Sequence, residues 1–197
     1  MTAVIIAGGQ SRRMKRDKAF LDIGGKMLIE RVLDVLIPLF PHIIINSNTP
    51  EAFRAWNYPV IPDVMPGKGA LGGIYTGLLC GQTEYVFCVA CDMPSLQPDL
   101  IRFMQSNLHG EDVLVPKTPD GLHPLHAIYS TRCCRTIREL LDNDQLKISA
   151  LFPLVRTRCL DEHELRRFDP SLESFLNVNT LEELRAARKE HNIVDTG

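Results

Sequence analysis

Two stretches of the chain carry residue types suited to polyphosphate chemistry. The first, Ala7-Gly-Gly-Gln-Ser-Arg-Arg-Met-Lys-Arg-Asp-Lys18, sets five basic side chains, at 12, 13, 15, 16 and 18, just behind two glycines. Glycines let backbone amides approach an anion, arginine grips phosphate oxygens bidentately, and lysine supplies a compact charge. A solvated basic loop fits the same composition. The second is Cys91-Asp92-Met93-Pro94, where a carboxylate follows an apolar run. Magnesium takes one or two carboxylates together with substrate phosphates and water, so a single aspartate is chemically adequate there. Aspartate is also a common turn former and helix cap.

A third pattern competes with these. Gly67-Lys-Gly-Ala-Leu-Gly72 is a formal GxGxxG with Asp92 lying 20 residues beyond it, the spacing of a dinucleotide fingerprint. The preceding Ile61-Pro-Asp-Val-Met-Pro66 holds two prolines and makes a poor central strand, so the turn has no strand to close. Cys88 and Cys91 have CxxC spacing within a strand-like run, where positions three apart point to opposite faces. With no second CxxC, the six cysteines read as free thiols. His123 and His126 are likewise three apart, are expected to diverge on a strand, and are given no catalytic role. No Walker A run, GxSxG elbow or HExxH occurs in the sequence.

These residues must be positioned by an alternating set of elements. Residues 2–7 form a β-branched strand buried on both faces. Residues 27–39 carry a helical stripe through Leu28, Val32, Leu36 and Leu39. A strand at 42–46, a short helix at 50–56, a brief strand at 59–61 and a glycine-containing helix at 71–80 follow. A strand at 85–91, a helix at 98–107 with proline in its first turn, and a strand at 112–115 come next. Thr180-Leu-Glu-Glu183 is a capping box opening a last helix to about 191. Such alternation predicts an α/β fold of three layers: a mostly parallel sheet with helices on both faces and right-handed crossovers. Ligands of such sheets bind beyond the carboxyl ends of the strands, where the Gly8-Gly9 loop and Asp92 fall.

Length and composition bound the rest. At 197 residues the chain corresponds to one domain. A hydrophobic content of 45%, 23% charged residues and a mean hydropathy of −0.04 describe a globular chain. Twenty-two basic against 24 acidic residues leave a net charge of −2, which gives no field for general nucleic-acid or anionic-membrane binding. No apolar run approaches the roughly 20 residues needed to cross a bilayer, and the N-terminus lacks the basic segment of a secretory signal, so a cytoplasmic location is expected.

Taken together, Ile6-Ala-Gly-Gly9, Arg12-Arg-Met14, Asp17-Lys18, Asp63, Gly69-Ala-Leu-Gly-Gly73, Cys91-Asp92-Met-Pro94 and Asn177-Val-Asn-Thr180 resemble the nucleotidyltransferases of Rossmann-like fold. The likeness is closest to the molybdenum cofactor guanylyltransferases, the MobA proteins, and covers most of the chain. The glycine usual after Arg-Met is Lys15 here, which bears on the path of that loop.

The resemblance implies that Ile6, Ala7, Gly8 and Gly9 meet the nucleotide through backbone groups and that Lys18 holds phosphates. It places Asn46 and Asp63 by the guanosine, Asp92 on Mg²⁺, and Asn177 and Asn179 on the pterin side, where they equally suit the end of a strand. Arg12 joins Lys18 and Asp92 as a catalytic candidate from its charge and place in the loop. The implied reaction moves GMP from GTP onto molybdopterin, with molybdenum loaded, and releases pyrophosphate. A phosphate nucleophile, with a second pKa of about 6, needs no general base. The N-terminal part would bind the nucleotide and the C-terminal part contribute to the pterin site, with contacts to other cofactor-biosynthesis proteins and target molybdoenzymes implied. A cytidylyltransferase for the same pterin, a sugar-phosphate nucleotidyltransferase and a non-catalytic nucleotide-binding protein are the competing expectations.

Overall fold

The strand β1 (Thr2–Ile6) is buried along its whole length, as a β-branched run enclosed on both faces must be. It pairs in parallel with β2 (His42–Asn46) on one side and with β4 (Tyr85–Ala90) on the other. The computed structural model describes residues 1–7 and 18–177. Gly8, Gly9, Arg12, Lys15, Asn179 and the expected helix at 180–191 lie outside the described residues.

Beyond β2 the sheet continues with the short parallel strand β3 (Val60–Ile61). On the far side of β4 come β7 (His126–Ser130), β5 (Val113–Thr118) and β6 (Gly121–Leu122), while β8 (Thr157–Leu160) pairs with β5. Side chains from β1 alternate between two cores. Val4 and Ile6 pack with α2 (Gly69–Cys80) and α4 (Cys134–Asp142). Ala3 and Ile5 face α1 (Leu28–Leu36), α3 (Pro98–Ser106) and α5 (Glu162–Arg166). Helices therefore cover both faces, and the three-layer expectation holds.

The sheet is mixed rather than parallel throughout. Strand β7 runs antiparallel to both β4 and β5. Its cause is local: β5 turns back into β6 through Asp120-Gly121, where Gly121 takes φ +122°, and the chain reaches β7 with no crossover helix. Adjacent strands joined by so short a connection must be antiparallel.

Element ends also shift. Helix α1 stops at Leu36 instead of 39 because Pro38 cannot donate to the helical ladder. The stretch expected as a helix at 50–56 is a 3₁₀ turn, Pro50–Phe53, anchored by buried Phe53. Strand β5 is longer than expected at its far end. Elements β6, β7, β8, α4 and α5 were not anticipated, although Asp161 and Glu164 form the capping box that opens α5. No helix among the described residues is long and apolar enough to cross a membrane.

Candidate active site at the carboxyl edge of the sheet

Strand register fixes the site. Ile6 lies level with Asn46 on one side and Ala90 on the other, and Asn46 is level with Ile61. Just past these positions Ala7 N donates to Asn46 O at 2.9 Å and Cys91 N to Ile6 O at 3.2 Å. The residues leaving β1, β2, β3 and β4 are thus gathered at one edge. From β1 the chain passes first to β2 on one side and later to β4 on the other, and such a reversal opens a crevice at the carboxyl ends.

On the β4 side, Lys18 Nζ and Asp92 Oδ2 stand 3.3 Å apart, with side chains 31% and 17% exposed. An ion pair this accessible contributes little to folding. It does bring together a cation and a carboxylate that lie 74 residues apart in sequence, at the edge where β1 and β4 end. Lys18 opens the 3₁₀ turn Lys18–Phe20, and that turn is clamped by aromatic contacts. The Phe20 ring stacks on Trp56 at 5.7 Å and leans on Phe53 at 4.9 Å.

On the β2 and β3 side is a network of neutral amides around a carboxylate. Asn46, only 1% exposed, donates from Nδ2 to Ile61 O at 3.1 Å and to Asp63 Oδ1 at 3.0 Å. Asn48 Nδ2 donates to Asp63 Oδ2 at 2.8 Å, and Asp63 N donates back to Asn48 Oδ1 at 2.9 Å. The loop beyond Asp63 is tied to α2 through Thr76 Oγ1, which accepts from Val64 N at 3.0 Å and donates to Gly72 O at 2.9 Å. Helix α2 comes close because Gly73 has no side chain: a Cβ there would lie 2.5 Å from Asn46 Oδ1. The GxGxxG stretch therefore opens a helix that packs on the site. The strand preceding it ends at Ile61, well short of Gly67.

The C-terminal segment returns to the same edge. Asp169 caps it by accepting from Glu173 N and Ser174 N, at 3.1 and 2.8 Å. Gln97 N, in the loop after β4, donates to Ser174 Oγ at 3.0 Å. Phe175 is seated on the rings of His123 and His126, at 4.5 and 5.0 Å, and exposed Asn177 follows two residues later. The expectation that the two histidines diverge is therefore corrected. His123 stands in the loop before β7 instead of on a strand, so both rings meet one phenylalanine. His123 Nε2 is within 2.7 Å of Thr118 Oγ1, and fully buried His126 is held well below its usual value, to about 3, chiefly by that burial. Both are packing groups. Cys88 and Cys91 do enter opposite cores, and Cys80, Cys88, Cys133, Cys134 and Cys159 are free thiols.

The described residues thus bring together Ile6, Ala7, Lys18, Asn46, Asp63 and Asp92. Sequence reasoning did not find Asn48 or Thr76, and it held Gly73 only as part of the stretch that carries the resemblance, with no role of its own. An Asn-x-Asn pair at the end of β2 was the available signal for Asn48, since residues two apart leave an extended chain on the same side.

An open α/β sheet whose crevice presents a lysine, a strand-end aspartate and a hydrogen-bonded carboxylate defines a nucleotide-handling enzyme of the nucleotidyltransferase class. Residues 3–164 match the family described as the MobA-like NTP transferase domain. The chain is 39% identical over 191 residues to a probable molybdenum cofactor guanylyltransferase of Peptoclostridium acidaminophilum, covering 93% of this chain and 86% of that one. It is 38% identical over 189 residues to the molybdenum cofactor guanylyltransferase of Desulfosudis oleivorans, covering 95% and 94%. A crystal structure of molybdopterin-guanine dinucleotide biosynthesis protein A from Archaeoglobus fulgidus superposes with a TM-score of 0.83 at 25% identity, covering 98% of this chain and 99% of that one. The chain belongs to the MobA-like NTP transferase family.

Proposed function

We propose that this protein transfers GMP from GTP to the terminal phosphate of molybdenum-loaded molybdopterin, in the cytoplasm. A phosphate oxygen of the pterin forms a bond to the α-phosphorus of GTP while the bond from that phosphorus to the bridging oxygen breaks, and pyrophosphate leaves with the electron pair. The observation that carries this reading is the Lys18–Asp92 pair set across the crevice from the Asp63 cluster. One side suits a polyphosphate, the other a base edge that donates hydrogen bonds. Guanine offers a ring N–H and an amino group, both donors, and the carboxylate of Asp63 is an acceptor only. The nucleophile is already ionised near neutral pH, so the protein's task is alignment and charge neutralisation. Lys18 supplies a cation for the phosphates, and Arg12 belongs to the same proposal. Ile6 and Ala7, with Gly8 and Gly9, would meet the nucleotide through the backbone, and Asn177 and Asn179 would serve the pterin. Free thiols at Cys80, Cys88, Cys133, Cys134 and Cys159 suit a reducing compartment.

Mg²⁺ fits this donor set. Among the described residues no three histidines, cysteines or acids stand together to cage an ion, and Asp92 is engaged by Lys18 through one oxygen. One carboxylate completed by phosphate oxygens and water is the arrangement magnesium takes. Asp92 would hold it, and the bound ion would offset charge on the α-phosphate and the leaving pyrophosphate.

The test is pyrophosphate release from GTP with a molybdopterin source and Mg²⁺. Asp92→Ala should lose about 100- to 1000-fold in turnover while remaining folded. GTP should also raise the melting temperature more than CTP, ATP or UTP. A preference for CTP overturns the substrate, and equal turnover by the variant removes Asp92 from the reaction.

A further inference from the structure

Asn48 is an exposed residue on the loop after β2, and its two side-chain hydrogen bonds both go to Asp63, 15 residues ahead. Exposed to water, such a pair adds little to folding. Its geometric effect is larger. The last torsion of an aspartate is broad and roughly two-fold, so a carboxylate held through one oxygen alone can still swing. Asn46 holds Oδ1 from inside, fixed by burial and by its second bond to Ile61 O. Asn48 holds Oδ2 from outside, and with both oxygens tethered the plane of the carboxylate is set.

The tethers are neutral. Among the described residues no lysine, arginine or histidine pairs with Asp63, and the two side chains that hold its oxygens are uncharged amides. A carboxylate offers about four lone-pair positions. The two amides take one on each oxygen, leaving one on each. That is a matched pair of acceptors in one plane.

We infer that Asn48 is a specificity-determining positioning residue, which holds Asp63 in the orientation that accepts two parallel hydrogen bonds from a purine edge. The assignment rests on Asp63 reading the base, as proposed above. It separates two bases that differ by one donor. Guanine presents both a ring N–H and an amino group, whereas hypoxanthine presents the ring N–H alone. A carboxylate free to swing still satisfies one donor but loses the second bond, so removing Asn48 penalises the two-donor base selectively.

The experiment measures dissociation constants of GTP and ITP, with Mg²⁺, for the full chain, Asn48→Ala, Asn48→Asp and Asp63→Asn, alongside melting temperatures. The unaltered chain should prefer GTP by about tenfold or more, as the loss of one hydrogen bond to a charged group implies. Asn48→Ala should weaken GTP by about tenfold and ITP by less than about threefold, so the preference shrinks. Asn48→Asp keeps the size, loses the donor and sets a like charge beside Asp63, so its preference should shrink at least as far. If the two nucleotides weaken by the same factor in Asn48→Ala, or neither weakens, Asn48 is no positioning residue for the base. Asp63→Asn separates the two levels. If it changes the GTP to ITP ratio while Asn48→Ala does not, only the role of Asn48 falls; if it leaves the ratio untouched, Asp63 does not read the base and both fall.

Discussion

Replacing Gly73 by alanine should disturb the nucleotide site without adding any group to it. The new Cβ would stand 2.5 Å from Asn46 Oδ1 and 3.2 Å from Ile6 Cδ1, the first a distance at which something must move. The end of a side chain usually yields cheaply. Here it does not, because Asn46 is 1% exposed and its amide is fastened to Ile61 O and Asp63 Oδ1. Moving it strains or breaks those bonds. Overpacking of this kind costs about 1–3 kcal/mol, and the better helix propensity of alanine returns roughly 0.5–1 kcal/mol. The net loss is on the order of 1–2 kcal/mol, or about 2–8 °C of melting temperature for a chain this size. Because the displaced Asn46 releases one oxygen of Asp63, GTP affinity should fall by about tenfold beyond the stability effect. Gly77→Ala is the control: its Cβ would crowd the methyls of Val4 at 3.0 Å, away from Asp63, and should lower the melting temperature while leaving GTP affinity near that of the parent. The measurements are thermal melts and GTP titration. Unchanged GTP binding in Gly73→Ala would refute the coupling of α2 to the base site through Asn46.

Two further outcomes test other parts of the structure. His126 is neutral when folded, since burial, aided by His123 and only weakly opposed by the backbone at Ser174, pulls it to about 3 from a usual 6.5. A depressed value means the unfolded chain binds the proton first, so this contribution is complete above pH 6.5 and drains away as pH falls toward 3, at up to about 1.4 kcal/mol per pH unit. Urea titrations from pH 7 to 4 should show His126→Leu losing less stability than the parent, and parallel curves would contradict it. The turn carrying Lys18 is held by Phe20 on Trp56, the one tryptophan of the chain. Phe20→Ala should therefore alter the tryptophan emission and weaken GTP binding together. A shift in emission with intact GTP affinity would show that the aromatic clamp does not position Lys18.

Much of the fold was legible because burial on both faces leaves a plain mark. Thr2–Ile6, His42–Asn46 and Tyr85–Ala90 are short apolar runs at the centre of the sheet, and their order with the intervening helices dictates the parallel half. The antiparallel half was not legible for a physical reason. Strand direction at β7 depends on the length of its connection to β5, and His126–Ser130, though buried at every position, carries no sign of its direction. Helix α4 shows the converse. Ile137, Leu140 and Leu141 make a clear apolar face, yet it is short and lies among charged residues that also suit a loop.

For the site, the sequence exposed residues whose chemistry is unusual where they stand and hid those whose role is geometric. Asp92 and Lys18 announce themselves by charge at strand-end positions. Gly73 and Asn48 do not, because a glycine inside a helix and an asparagine in a loop are ordinary until their neighbours are known. What makes Gly73 necessary is an oxygen 27 positions earlier in the chain, and what makes Asn48 more than a turn residue is a carboxylate on the next loop. Both depend on β2 and β3 being adjacent and in register at Asn46 and Ile61. A two-residue strand therefore does more for the site than its length suggests: it sets the loop carrying Asp63 level with the loop carrying Asn48. Were β3 to slip by one residue, its side chains would exchange faces and Asp63 would turn away from both amides.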